Sequence, residues 1–103
     1  TVAVNGLVLN RNEHVATLGN IVIQFTQREF EIFDLLLINQ NKVLPRNTII
    51  EQIWGMEADV TSANLDSYIY LLRKKIKPLE QALTIKLVRG IGYKIEQVND
   101  TAN

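Results

Sequence analysis

The first 25 residues alternate between short apolar clusters and polar or turn-forming residues. Asn5-Gly6 and Gly19-Asn20 are pairs that favour the tight turns of β-hairpins, and Asn10–Glu13 is a polar loop. This pattern predicts a small antiparallel sheet, with His14 as a surface residue at its edge rather than a ligand. The four predicted strands are Val2–Val4, Leu7–Leu9, Val15–Leu18 and Ile21–Phe25.

A helical period replaces the strand pattern at Thr26. The segment from Thr26 to Glu29 matches a capping box, in which Thr26 caps the helix and Glu29 bonds back to the cap. The helix is predicted to run to about Asn39. Its apolar residues cover most of its circumference, which is typical of a central helix packed on two faces. They are Phe30, Phe33, Leu36 and Leu37, flanked by Ile32, Leu35 and Ile38.

A second helix is predicted after a turn at Asn39–Lys42. Pro45 suits a position at or just before its first turn, because a backbone N–H there would have no partner within the helix. The helix ends at Gly55, and a loop continues to Val60. Its apolar positions are Ile49, Ile50, Ile53 and Trp54, and we expect Trp54 in the core rather than at a partner.

The third helix, residues 62–77, begins at a cap supplied by Thr61 or Ser62 and is bounded by Pro78. At about 100° per residue, one stripe of this helix is apolar and faces the core. The core stripe is Leu65, Ile69, Leu72 and Ile76, and the outer face is Ala63, Asn64, Ser67, Tyr70, Leu71 and Lys74, with Tyr68 and Arg73 at the boundaries. Asp66 lies on neither face, and we expect it to pair with a base such as Arg73.

Two strands, Ile85–Val88 and Tyr93–Gln97, close the pattern. They are joined by Arg89-Gly90-Ile91-Gly92, whose two glycines permit a tight hairpin with positive φ and place Arg89 near its tip. The order predicts an α+β fold: a winged helix-turn-helix with an N-terminal four-stranded antiparallel sheet, three helices and a C-terminal β-hairpin wing at 85–97. The less specific alternative is an α+β domain whose third helix is merely amphipathic.

Composition narrows the possible chemistry. With 103 residues, 47% of them hydrophobic, we expect one folded domain at 1–98 followed by a flexible tail at 99–103. The chain has no cysteine and one histidine, so we expect no metal and no cofactor. We find no carboxylate pair, no nucleophile–base pair and no phosphate-binding loop, and an enzyme is the weakest candidate. The longest apolar run, Leu35–Ile38, is too short for a membrane span. We expect a cytoplasmic fragment of a longer protein.

The net charge of the chain is zero, but acidic and basic residues are distributed unevenly along it. Residues 1–72 carry four basic and eight acidic side chains, a net of −4. Residues 73–94 carry seven basic side chains against Glu80, a net of +6, and the last nine residues a net of −2. A segment of strong positive potential indicates a polyanionic partner. The alternative is a solvated basic helix end that complements the helix dipole.

Four segments in this order resemble the C-terminal effector domain of OmpR/PhoB-type response regulators: FTQREFEIFDLLL, VLPRNTIIEQIWG, LDSYIYLLRKKI and VRGIGYKI. The resemblance covers about residues 2–96. It implies a DNA-binding domain that follows a receiver domain. Phosphorylation of that receiver domain by a sensor kinase would promote dimerisation of the protein on promoter DNA. It further implies tandem binding to repeated half-sites and contact with RNA polymerase.

The resemblance assigns roles to particular residues. The third helix would enter the major groove, and the wing would reach the minor groove or its phosphates. The implied base contacts are Asn64, Ser67, Tyr70 and Leu71. The implied phosphate contacts are Arg73, Lys74, Lys75, Arg89 and Lys94. The implied RNA polymerase loop is Gly55, Met56, Glu57, Ala58 and Asp59.

The outer face of the third helix lacks arginine, the usual bidentate reader of guanine. We therefore predict modest discrimination, with a preference for A·T-rich sites. The absence of arginine from this face also leaves an alternative function open. The domain would then be a winged-helix protein-interaction module with weak or lost DNA binding, using Tyr70 and Leu71 as its contact patch.

Overall fold

A computed structural model of the chain describes residues 3–56 and 59–98. The described residues form eleven elements, and the N-terminal sheet and the helices begin where the sequence pattern placed them. The third helix ends at Lys75, short of the predicted 62–77, because the chain turns into a 3-10 helix that contains Pro78. The elements are β1 (Ala3–Val4), β2 (Leu7–Asn10), β3 (Val15–Leu18), β4 (Ile21–Gln24), α1 (Gln27–Ile38), β5 (Leu44–Pro45), α2 (Arg46–Trp54), α3 (Ser62–Lys75), a 3-10 turn (Lys77–Leu79), β6 (Leu83–Val88) and β7 (Gly92–Gln97). The predicted tail at 99–103 lies outside the described residues.

The N-terminal sheet is an antiparallel meander in the order β1-β2-β3-β4. It consists of three strands of four residues each and the two-residue β1 at the edge. Leu7 and Leu9 are buried, whereas Val8 between them is 52% exposed, because successive side chains of a strand point to opposite faces. One face of this sheet therefore covers the helices and the other faces solvent.

The capping box of α1 is present. The Thr26 hydroxyl accepts a hydrogen bond from the Glu29 N–H, and Glu29 Oε1 accepts one from the Thr26 N–H at 3.0 Å. Phe33 near the middle of the helix is completely buried. One expectation for this helix is wrong: Ile38 is 55% exposed, because it lies four residues after Asp34 and seven after Glu31, on the side of the helix away from Phe30 and Phe33.

The helices α2 and α3 form the helix-turn-helix unit. Pro45 is the residue before the first turn of α2, and Gly55 caps its end. Thr61, not Ser62, caps α3, and the Asn64 side chain completes a second capping box. All four residues of the predicted core stripe of the third helix are buried, namely Leu65, Ile69, Leu72 and Ile76, whereas Ile53 and Trp54 at the end of α2 are partly buried.

The wing is part of a three-stranded sheet in the order β5-β7-β6. The pattern missed β5, which has only two residues and pairs Leu44 with Tyr93. Of the two wing glycines, Gly90 has the positive φ that the hairpin prediction allowed, +77°, whereas Gly92 lies in strand β7. Gly92 is required for space: a Cβ there would lie 2.9 Å from Pro45 Cα and closer still to the Leu44 carbonyl oxygen.

Phe33→Ala should lower the free energy of unfolding by about 3–5 kcal/mol, because it removes a fully buried aromatic ring and leaves a cavity. Urea denaturation followed by circular dichroism measures the loss. Ile38→Ala on the same helix is the matched control and should cost less than about 1 kcal/mol, since this side chain is mostly exposed. Equal losses for the two variants would show that the core face of α1 is misassigned.

Candidate nucleic-acid interface

The face of α3 opposite its buried stripe is open to solvent. Its exposed residues are Ala63, Asn64, Ser67, Tyr70, Leu71 and Lys74, which is the outer face that the helical period predicted. Tyr70 and Leu71 are 61% and 55% exposed, a large apolar surface for a helix that is otherwise polar on this side. The buried stripe of α3 therefore packs on the core, and the opposite face of this helix of about four turns is free to contact a partner.

Two of the polar side chains on this face already have partners. Asn64 Oδ1 accepts a hydrogen bond from the Thr61 N–H at 3.1 Å, as part of the cap of α3. The Ser67 hydroxyl donates to the Ala63 carbonyl oxygen at 3.3 Å. Asn64 keeps its amide N–H groups for a ligand, but using both its oxygen and its nitrogen would open the cap.

Unpaired basic side chains concentrate at one end of the molecule. Within residues 3–56 and 59–98, five lysines or arginines form no ion pair: Lys42, Arg73, Lys74, Lys77 and Arg89. All but Lys42 lie at the end of α3, just beyond it, or on the wing. Arg73, Lys74 and Lys77 line a groove of about 400 Å³ between α3 and β6, together with Tyr70 and Thr84. Lys74 Nζ lies 5.0 Å from the centre of the Tyr70 ring.

Two of the expected phosphate contacts are held in ion pairs. Lys75 Nζ lies 2.7 Å from Glu29 Oε1, so the last turn of α3 is tied to the first turn of α1. Burial alone would raise the pKa of Glu29, but the hydrogen bonds from Lys75 and Thr26 lower it. Lys94 Nζ lies 2.7 Å from Glu96 Oε2, and hydrogen bonds from Lys94 and then Lys86 lower the pKa of Glu96.

Asp66 has a different partner from the one expected. Its Oδ1 accepts hydrogen bonds from Arg46 Nε at 2.9 Å and from the Tyr93 hydroxyl at 2.6 Å, whereas Arg73 points to solvent. The Tyr93 hydrogen bond lowers the pKa of Asp66 against the effect of burial, and the Arg46 ion pair adds to the lowering. Burial, followed by the hydrogen bond to Asp66, raises the pKa of Tyr93. Sequence reasoning missed Arg46, because no local pattern links it to a residue 20 positions away.

The tip of the wing is exposed and tightly turned. Arg89 and Ile91 flank Gly90, and the Ile91 N–H donates to the Val88 carbonyl oxygen at 3.0 Å. The Arg46 backbone N–H donates to the Ile91 carbonyl oxygen at 3.2 Å. The first residue of α2 thus anchors the wing, and Arg89 projects from a fixed turn.

The loop expected to meet RNA polymerase is described only in part. Gly55, Met56 and Asp59 are exposed, Met56 by 85%, whereas Glu57 and Ala58 lie outside the described residues. Trp54 before the loop is half-buried against the core, and its ring lies 5.3 Å from the Tyr68 ring. The expectation that Trp54 is mainly a packing residue agrees with this placement.

Other kinds of site find little support in the part of the chain that can be described. Within it, no group of three His, Asp or Glu side chains is arranged to hold a metal ion. His14 stacks on Phe30 with the ring centres 4.9 Å apart. A search of the described helices for one of sufficient length and hydropathy to cross a membrane finds none.

Comparisons with known proteins identify the family and the fold of the chain. Residues 20–95 match the family model described as the C terminal of transcriptional regulatory proteins. Response regulator ArlR of Staphylococcus aureus is 36% identical over 92 residues, and the match covers 89% of this chain and 42% of that protein. The chain thus spans about two fifths of the length of this relative.

Solved structures with the same fold include the C-terminal domain of a response regulator and a DNA-binding domain. The C-terminal domain of the nisin resistance regulator NsrR has a TM-score of 0.79 at 25% identity, with 92% of this chain and 95% of that chain covered. The DNA-binding domain of CpxR from E. coli also has a TM-score of 0.79 at 25% identity, covering 96% and 98%.

Glu29 should make stability depend on pH. Its pKa is lowered in the folded state, so its contribution is present above about pH 4.5, the ordinary glutamate pKa, and is lost as the pH falls through the lower folded value. Glu29→Gln should cost about 1–2 kcal/mol of unfolding free energy at pH 7, since it breaks a charged hydrogen bond that is partly shielded from water.

The difference between Glu29→Gln and wild type should shrink as the pH falls below about 4.5, because the carboxylate is protonated first in the unfolded and then in the folded chain. Urea titrations at a series of pH values from 7 downward measure it. Glu51→Gln, at an exposed position without a side-chain partner in the described residues, is the control and should behave like wild type. A difference that stays constant with pH would show that the charge of Glu29 contributes nothing.

Proposed function

This chain belongs to the family of transcriptional regulatory protein C-terminal domains, and we propose that it is the DNA-binding effector domain of a response regulator. In this proposal α3 lies in the major groove of promoter DNA, and the β6–β7 wing contacts the adjacent minor groove or its backbone. The single observation that carries it is the gathering of unpaired cations beside the open face of α3. A domain with this task works in the cytoplasm, where the promoter is.

Phosphate contacts in the proposed complex come first from the unpaired cations. Arg73 and Lys74 on α3 and Arg89 on the wing are exposed and free of carboxylates among the described residues. Lys75 and Lys94 remain candidates, but each would have to leave a glutamate at 2.7 Å. The free cations supply affinity without sequence information, and they make binding depend on salt, because each neutralised phosphate releases counterions.

Base contacts in the proposed complex come from Asn64, Ser67, Tyr70 and Leu71. An apolar side chain such as Leu71 packs on the methyl group of thymine, and an asparagine amide pairs with adenine. A site rich in A·T pairs also has a narrow minor groove of enhanced negative potential, which suits an arginine at the tip of the wing. Both parts of the interface therefore favour A·T-rich DNA.

The wider role follows the response regulators that the chain resembles. We propose that an upstream receiver domain and its sensor kinase control the domain, that two copies bind repeated half-sites in tandem, and that the exposed loop at Gly55, Met56 and Asp59 meets RNA polymerase. Two copies would compensate for modest discrimination by each recognition helix, because the binding free energies of linked half-sites combine.

A protein-interaction module is the second candidate. A groove beside α3 is lined by Trp54, Val60, Tyr68 and Leu71 and is mostly apolar. Such a groove suits a protein partner, whereas the adjacent unpaired cations suit DNA. Salt dependence separates the two functions, since an apolar protein interface has little of it.

Arg89→Ala should weaken DNA binding and reduce the slope of log K against log salt by about 0.9, the effect of one lost phosphate contact. Fluorescence anisotropy with a labelled A·T-rich duplex over a salt series measures both quantities. Lys42→Ala is the matched control, because it removes the same charge from an exposed turn whose neighbour Asn41 bonds to Ile95, towards the other end of β7.

Both variants should keep the wild-type circular dichroism spectrum and urea midpoint. If Arg89→Ala binds with wild-type affinity and slope, the wing is no part of the interface. If the wild-type chain shows no salt-dependent binding to any duplex, the protein-interaction function becomes the better proposal.

Site selection from a random duplex library should return an A·T-rich consensus with modest discrimination. Each specific bidentate arginine contact is worth about 1–3 kcal/mol, and the exposed face of α3 offers none. Tyr70→Ala and Leu71→Ala should flatten the consensus while leaving the salt slope unchanged, since neither removes a charge. A G-rich consensus, or one that neither substitution alters, would show that this face does not read bases.

A further inference from the structure

One carboxylate oxygen joins three elements of the candidate interface. Asp66 Oδ1 on α3 accepts hydrogen bonds from Arg46 Nε on α2, at 2.9 Å, and from the Tyr93 hydroxyl on β7, at 2.6 Å. Recognition helix, supporting helix and wing strand therefore meet at a single atom. Asp66 precedes Ser67, one of the proposed base contacts, in the helix.

Arg46 also fastens α2 to the wing directly. Its guanidinium carbon lies 5.2 Å from the centre of the Tyr93 ring, a cation–π distance. Its backbone N–H donates to the Ile91 carbonyl oxygen in the wing turn at 3.2 Å. Gly92 packs so closely on Leu44 and Pro45 that no Cβ fits. The wing is thus held against the start of α2, and Asp66 connects that assembly to α3.

We propose that Asp66 is a positioning residue for DNA recognition, which holds the wing at a fixed separation from α3 through Arg46 and Tyr93. The inference rests on the proposed function. The helix and the wing bind different grooves. Both contribute their full binding free energy only when the distance between them already matches the distance between the two grooves. A wing that became ordered only on binding would contribute less binding free energy, because ordering it costs conformational entropy.

The charge of Asp66 gives Arg46 a second effect on binding. The Asp66 side chain is 43% exposed on the helix that faces DNA, so an uncompensated carboxylate there would repel phosphates. Arg46 neutralises it. Arg46→Ala should therefore weaken DNA binding more than Lys42→Ala does, and adding Asp66→Asn should restore part of the loss, because it removes the exposed charge.

A distance measurement without DNA tests whether Asp66 holds the wing at a fixed separation from α3. The chain has no cysteine, so Leu71→Cys and Ile91→Cys place two spin labels at exposed positions, one on α3 and one at the tip of the wing. The distance distribution should be narrow in the parent chain and broader in Asp66→Ala. Tyr93→Phe, which removes one hydroxyl and keeps the ring, should broaden it less. Glu29→Gln breaks the other ion pair of α3 and should leave it unchanged.

A double-mutant cycle tests the link to recognition. Arg89→Ala should weaken DNA binding by a certain factor in the wild type. In the Asp66→Ala background that factor should be at least about threefold smaller, because the wing is no longer held in position. The same cycle with Glu29→Gln should be additive. All affinities are measured under conditions where circular dichroism shows each variant to be folded, which separates positioning from simple loss of stability.

The outcomes are distinguishable. An unchanged distance distribution in Asp66→Ala overturns the inference whatever the affinities. Additive losses in a chain that binds DNA overturn the inference and leave the proposed function intact. Absence of salt-dependent binding by the wild type overturns the proposed function, and with it the inference. A broader distribution together with the non-additive cycle supports both.

Discussion

The burial of one apolar stripe of α3 is the interaction on which the rest of the molecule depends. Leu65, Ile69 and Leu72 are almost inaccessible to solvent, and each contributes about 1.5–3 kcal/mol by leaving water. The same burial decides which side of the helix remains outside, because a helix whose stripe is covered has only one free face. The central helix α1, with Phe33 in its middle, supplies part of the surface behind that stripe.

Ion pairing then decides which charges remain available. Most carboxylates of the described residues form ion pairs within the domain. Examples are the pairs of Glu29 with Lys75, of Asp66 with Arg46, and of Glu96 with Lys94 and Lys86. The pairs of Glu29 and Glu96 withdraw Lys75, Lys86 and Lys94 from the basic segment 73–94, and the unpaired cations of that segment lie at the end of α3, just beyond it and on the wing. A chain with zero net charge can therefore present a strongly positive surface, since the local arrangement of charges sets the potential.

Two backbone segments pack closely where the wing meets the helix-turn-helix unit. The two-residue strand β5 pairs with β7, and the backbone of Leu44 and Pro45 leaves no room for a side chain at Gly92. The next residue, Arg46, begins α2 and bonds to the wing turn. Structural contacts and candidate recognition elements are adjacent here, so a substitution at this corner affects stability and binding together unless the two are measured separately.

Local interactions were readable from the sequence. The capping box of α1 joins residues three positions apart, and the buried stripe of α3 repeats every three or four residues, so neighbours along the chain decide them. The capping box of α3 is equally local, but only its Thr61 was predicted, as one of two possible caps. The order of strands and helices, the polar face of α3 and the hairpin carrying Arg89 follow from the same short-range patterns. The family resemblance added the functional interpretation to these elements.

Contacts between distant residues were decided by the tertiary structure alone. Asp66 pairs with Arg46, 20 residues away, instead of Arg73 on its own helix, and Lys75 pairs with Glu29, 46 residues away. The strand β5 and the steric requirement for Gly92 depend likewise on which backbone another element brings near. Sequence periodicity specifies the face on which a side chain lies, whereas its partner across the interface depends on how the elements pack.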